Sequence, residues 1–195
     1  MIDLRHKLPP IQNQGIAPIC AAVSAKAVAF YHGIEIDENE VYEEAKKIDK
    51  IPGEKYDGTE PEAVLKVLEN RGLGKVIMIP SNIVDDVIES KGPVICTMQV
   101  NKIEPKCAEN TYHAMVVCGY SPMTDSALIR NSWGVEWQDN GHKTMPMAEF
   151  IEYAEPYCYG FIPKAEQKSK VKPFIIIGAV VALIAIAAIA YTVIL

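Results

Sequence analysis

The chain has 195 residues and a formal net charge of −6. That length allows one main domain whose core needs no disulfides. The acidic balance offers no basic stripe to neutralise phosphates, which excludes nucleic acid as the main partner.

In chain order, residues 1–15 read as extended, because Pro9-Pro10 forbids a helix and Gln14-Gly15 ends in a turn. The N-terminal stretch has no apolar run of signal-peptide type, and Ile2 stands where myristoylation needs glycine. A helix is expected from about Cys20 to Tyr31, with Val23, Ala27 and Phe30 on one face and His32-Gly33 as its stop. Asp37 caps the next helix, with Glu40 completing a capping box and Val41, Tyr42, Ala45 and Ile48 turned inward. Thr59 caps a third helix, Pro61 fits its first turn, and Gly72 ends it. A short strand follows at Val76–Ile79, then a helix from Ser81 to about Ser90. The second half turns to strands: Pro93–Val100, Tyr112–Tyr120, Ser126–Asn131 and Tyr157–Ile162, with a brief helix near Met147–Ala154. Helices first and strands later predict an α+β fold in two lobes.

The last 22 residues, 174–195, carry no charge and would span roughly 33 Å as a helix. They are expected to form a single-pass transmembrane helix, a C-terminal tail anchor. Lys164, Lys168, Lys170 and Lys172 precede it and nothing charged follows, so the positive-inside rule places the preceding domain on the cytosolic side. The expected organisation is a domain over 1–163, a basic linker over 164–173 and the membrane segment over 174–195. Gly178 alone makes no GxxxG motif, so no oligomer is inferred and the domain is expected to be monomeric.

The five cysteines form no CxxC pair, so neither a zinc knuckle nor a dithiol motif is present, and no metal or cofactor is implied. Cys96, Cys118 and Cys158 lie in apolar runs and read as buried, while Cys107 sits in a polar loop. Cys20 differs because it opens a helix, where the dipole favours a thiolate. Among the four histidines, His6, His32 and His142 read as solvated or structural. His113 lies inside an apolar strand, either as a core histidine bonded to backbone or as a base. Asn131 could accept from its ring N–H and fix the tautomer, with an indole at Trp133 shielding the bond. Gln14 could donate to an oxyanion beside the Cys20 backbone N–H.

These residues resemble a papain-family cysteine peptidase in a compact form without a propeptide. The resemblance rests on Asn13-Gln14-Gly15 with Cys20 six residues after Gln14, on Tyr112-His113-Ala114, and on Asn131-Ser132-Trp133-Gly134 with Trp137 and Asn140-Gly141. Asp57-Gly58-Thr59 is similar to the segment along the non-primed substrate cleft. The resemblance implies a papain-like fold, a helical lobe and a β-barrel-like lobe with the site between them. It implies Cys20 as nucleophile, His113 as general acid/base, Asn131 as its orienting residue and Gln14 as oxyanion donor. Gly58 and Trp133 would be substrate-binding, Trp133 also covering the Asn131–His113 pair.

Departures are local. The family's Cys-Gly-Ser-Cys-Trp becomes Ala17-Pro18-Ile19-Cys20-Ala21, which removes one cysteine of the usual disulfide and an aromatic beside the nucleophile. The expected function is a membrane-anchored cysteine endopeptidase acting on peptide or protein substrates at the membrane. The alternatives are a catalytically weak, membrane-tethered peptide- or protein-binding module, and a related acyl transfer such as deamidation or ligation.

Overall fold

Helix α1, Cys20–Tyr31, is the element on which the rest is laid. Eight of its twelve residues are buried, five of them alanines, so neighbouring elements approach its backbone closely. Its exposed strip runs through Lys26 and Phe30, one turn apart. Phe30 was expected to face inward and is instead 45% exposed, because α1 is enclosed around most of its circumference and only this strip is left for solvent.

The computed structural model describes residues 1–49 and 58–164. Around α1 lie α2 (Glu38–Ile48) and α3 (Pro61–Asn70). The Asp37 side chain accepts from the backbone N–H groups of Asn39 and Glu40, so the predicted cap of α2 holds. The cap of α3 is Glu60, not Thr59, and its side chain makes no capping bond. Pro61 at the first helical position needs no donor partner, and this fixes the start one residue later than expected.

The remaining strands are β1 (Ile2–Asp3), β2 (Gly74–Pro80), β3 (Val94–Gln99), β4 (Tyr112–Ser121), β5 (Ser126–Arg130), β6 (His142–Pro146) and β7 (Ala154–Pro163). They form one antiparallel sheet in the order β2-β7-β3-β4-β5-β6, with β1 paired to β4. Helices α4 (Val84–Lys91) and α5 (Met147–Tyr153) complete the set. Residues Ser81–Ile83 form a 3-10 turn before α4. Strand β2 is longer than expected because seven of its residues pair with β7. Strand β6 was not expected. His142, read as solvated or structural, pairs with Arg130 and is buried, its Nδ1 2.9 Å from the Asn140 carbonyl.

The sheet separates two cores, and β4 shows how. Ala114, Val116 and Cys118 face the helical side with Val28, Leu65 and Leu68. Met115 and Val117 face the other side with Met98, Ile129 and Phe150. This period-2 alternation buries both faces of one strand. Cys96, Cys118 and Cys158 are fully buried, as expected, and Cys107 is half-buried.

The N-terminal segment crosses from one core to the other. Arg130, itself buried, donates through Nη1 to the Pro9 carbonyl and through Nη2 to the Pro10 carbonyl, each at 2.8 Å. Proline supplies no backbone N–H, so the clamp acts on carbonyls alone. Replacing Arg130 with alanine would strand two carbonyls and is expected to cost about 3 kcal/mol, read as a lower urea midpoint at unchanged slope.

Among the described residues no helix is long and apolar enough to cross a membrane. The expected anchor at 174–195 lies outside the described residues, as does the linker after Lys164.

Candidate active site

Cys20 is the first residue of α1, and the N-cap, Ile19, supplies no side-chain acceptor. The free backbone N–H groups of this turn are therefore available to the sulfur. Two of them bear on it, from Ala21 and Cys20 itself, and the Ala114 N–H of β4 joins them. The Ala114 contact ties the nucleophile candidate to the residue after His113. One turn along α1, Ser24 Oγ donates to the Ala114 carbonyl at 3.3 Å. Cys20 and Ser24, one turn apart on α1, thus both bear on Ala114 of β4.

His113 is buried at 6% exposure, and its Nε2 lies 2.7 Å from Asn131 Oδ1. Asn131 is buried in turn. The carbonyl oxygen only accepts, so Nε2 carries the proton and Nδ1 is left as the base. Trp133 stacks on the His113 ring at 4.6 Å between centroids and 38° between planes. Trp137 meets Trp133 edge-on at 6.3 Å and anchors its indole N–H on Glu104 Oε1 at 2.9 Å. Trp133 thereby covers one face of the His113 ring, and Trp137 supports Trp133 from its edge.

Gln14 is held at three points. Its backbone N–H donates to the Ser132 carbonyl at 2.8 Å, its Nε2 donates to the Ala17 carbonyl at 2.8 Å, and Ser132 Oγ donates to its Oε1. The side chain keeps a second amide hydrogen for another acceptor. Gly134, at φ +92°, lets the chain after Trp133 pass against Asn13, where a Cβ would meet the Asn13 side chain at 3.0 Å. Ser24, Ser132 and the Ala114 N–H were not singled out in the sequence. Ser132 stood within the quoted Asn131–Gly134 block, but its bond to a residue 118 positions away has no local signal.

Gln14, Cys20, Gly58 and His113 all line one cleft of about 620 Å³. Trp133 lies against His113 rather than among the lining residues. The cleft wall includes Pro18, and the Gly58 Cα lies beside the Pro18 carbonyl, which a Cβ would meet at 3.6 Å. Burial pushes the Cys20 thiol up, against the lowering effect of the N–H groups of Ala114, Ala21 and Cys20. Burial likewise drives the His113 imidazole down to about 4, and the Asn131 bond opposes it only in part. Burial thus favours the neutral form of each partner, and the surrounding donors and acceptor work against it in part.

The model of the Peptidase_C39 like family matches residues 7–159. The chain belongs to that family. No curated protein sequence matches it. Among solved structures, xylellain, a cysteine protease from Xylella fastidiosa, is 14% identical with a TM-score of 0.64, covering 83% of this chain and 85% of that one. Digestive procathepsin L2 proteinase from the larval midgut of Tenebrio molitor is 17% identical with a TM-score of 0.61, over 82% of this chain and 66% of that one. A double glycine motif protease from an AMS/PCAT transporter, in complex with the leader peptide, is 22% identical with a TM-score of 0.55, over 81% and 93%. At these identities the likeness is one of fold. The mixed fold with its antiparallel sheet is thus papain-like, and this member of the Peptidase_C39 like family carries a cysteine peptidase scaffold.

Proposed function

We propose that this chain hydrolyses peptide bonds through Cys20. The observation that carries this is the meeting of Cys20 and His113 in one cleft, with Asn131 fixing the His113 tautomer at 2.7 Å. The Cys20 thiol gives its proton to His113 Nδ1 as sulfur attacks the carbonyl carbon. The tetrahedral oxyanion takes hydrogen bonds from the Gln14 amide and the Cys20 backbone N–H. Collapse breaks the C–N bond, and the leaving amine takes the proton from His113, leaving a thioester. Water then attacks that thioester, its proton passing to His113, and the acid departs as the thiol is restored. A peptide segment as substrate fits the leader peptide bound to the double glycine motif protease.

The test is alkylation of the full chain with iodoacetamide, mapped by mass spectrometry. Cys20 should label fastest of the five cysteines, at a rate that rises as pH passes about 4 and then stays flat through neutrality. An ordinary thiol would rise only near pH 8.5. His113→Ala should abolish the flat region. Gln14→Ala should leave labelling unchanged while lowering peptide turnover by about 10² to 10³. If Cys20 labels no faster than the other cysteines, the peptidase assignment fails. A peptide-binding module with little chemistry then replaces it, an assignment that the burial of the Cys20 thiol favours.

We further propose that residues 174–195 tether the domain to a membrane with its cleft on the cytosolic side, which raises the local concentration of membrane-bound substrates. Flotation of the full chain with liposomes, lost on truncation after Lys164, is the expected outcome. Flotation that persists after truncation would sink the tether.

A further inference from the structure

The cleft carries two carboxylates that the chemistry above does not use. Glu60, at the start of α3, and Glu155, in β7, both line it together with Cys20 and His113. They are 95 positions apart in the chain, and only the sheet and helix packing brings them to one wall. Apart from His113, no basic side chain among the described residues lines the cleft. Some acidic side chains elsewhere are paired: Glu38 with Lys26 at 2.7 Å, Glu44 with Arg71 at 2.9 Å, Asp3 with Arg5 at 2.7 Å. Neither Glu60 nor Glu155 has a cation at ion-pair distance among the described residues.

A second feature lies beside them. Thr59 is buried to 8% exposure and lines the same cleft, yet its Oγ1 has no hydrogen-bond partner among the described residues. A buried hydroxyl without a partner is costly unless something else bonds it. Glu60 is exposed as a residue, but partial enclosure of its carboxyl raises its pKa, and the charges of Glu155, Asp49 and Glu62 raise it further. The Asp49 carboxylate is brought close by accepting the Glu60 backbone N–H at 2.8 Å. Unpaired like charges and an unbonded hydroxyl at one place describe a receptor for a cation with N–H donors.

We propose that this end of the cleft receives the lysine or arginine side chain of a bound peptide, its cation seated between Glu60 and Glu155 with one N–H on Thr59 Oγ1. This rests on the peptidase reading for the identity of the cleft, but not for its own test. An ammonium or guanidinium would neutralise the repulsion and satisfy the hydroxyl together. The cleft would then select basic residues near the scissile bond, and the preference would weaken as salt rises.

The experiment uses the full-length chain carrying Cys20→Ala, so that peptides bind without being cut. Peptides blocked at both ends, with lysine or norleucine scanned through successive positions, are measured by fluorescence anisotropy. Lysine at one position should bind about tenfold tighter than norleucine. In the Glu60→Gln/Glu155→Gln background that ratio should fall towards one, with thermal melting confirming the fold. Equal affinity for lysine and norleucine peptides at every position overturns the proposal, as does a preference that survives the double change. An advantage that follows an unblocked terminal amine rather than the side chain also overturns it. Labelling of wild-type Cys20 is measured in parallel. Failure there removes the peptidase reading, while the anisotropy result still decides the cation site.

Discussion

Cys20→Ala should lower peptide turnover by about 10⁶-fold while leaving the melting temperature nearly unchanged. The size of the effect follows from the covalent step. Without sulfur no thioester forms, and the remaining Gln14 and backbone donors can stabilise an oxyanion only for direct attack by water. The small effect on stability follows from position. Cys20 is half-buried at the first turn of α1, where it lines the cleft at the edge of the helical core, and alanine there keeps the helix. Cys20→Ser should be almost as inactive, because a hydroxyl gives up its proton far less readily than a thiol. Turnover within tenfold of the wild type for either variant would show that another residue carries the reaction.

His113→Ala should lower turnover by about 10⁴-fold and at the same time change the response of stability to acid. The folded imidazole titrates at about 4, against an ordinary value of 6.5. Between those values the unfolded chain binds a proton that the folded chain does not, so stability rises with pH through this window and falls as pH drops through it. Above about 6.5 both states are neutral and His113 makes no difference. Below about 4 both are charged, and the full loss, about 3 kcal/mol, has accrued. The wild type should therefore lose stability between pH 6.5 and 4, and His113→Ala should lose less across the same range. The measurement is urea unfolding at stepped pH for both proteins. Parallel curves would mean that His113 is not held neutral by burial.

Much of this arrangement was legible in the sequence, where the signals were local. Helix α1 begins and ends as expected because Pro18 and Gly33 bracket an alanine-rich run. The Asp37 cap was legible for the same reason. Gln14, Cys20, His113 and Asn131 were chosen by residue type and flanking motif, and the fold brings the four together. Pairing across the chain was harder to foresee. Strand β6 reads HKTMP, too short and too polar to announce itself, and becomes a strand only because β5 offers it an edge. Thr59 looked like a cap, yet Pro61 moved the helix start and left the threonine hydroxyl facing the cleft. The Arg130 clamp on Pro9 and Pro10, and the pairing of Glu60 with Glu155 in one wall, depend on residues about a hundred positions apart. No periodicity records them.

The alanines of α1 tie the evolution of rate to the evolution of stability. They set how near the helix lies to β4, and that spacing is also the reach from sulfur to imidazole. A substitution that filled this interface with a larger side chain would push Cys20 out of line with His113. The same substitution would be tested by selection for folding. Lineages of this chain adapting to heat would have little room to do so here, and would be driven to gain stability at the far core, around Met145 and Phe150, which lie away from the strand pair that holds His113.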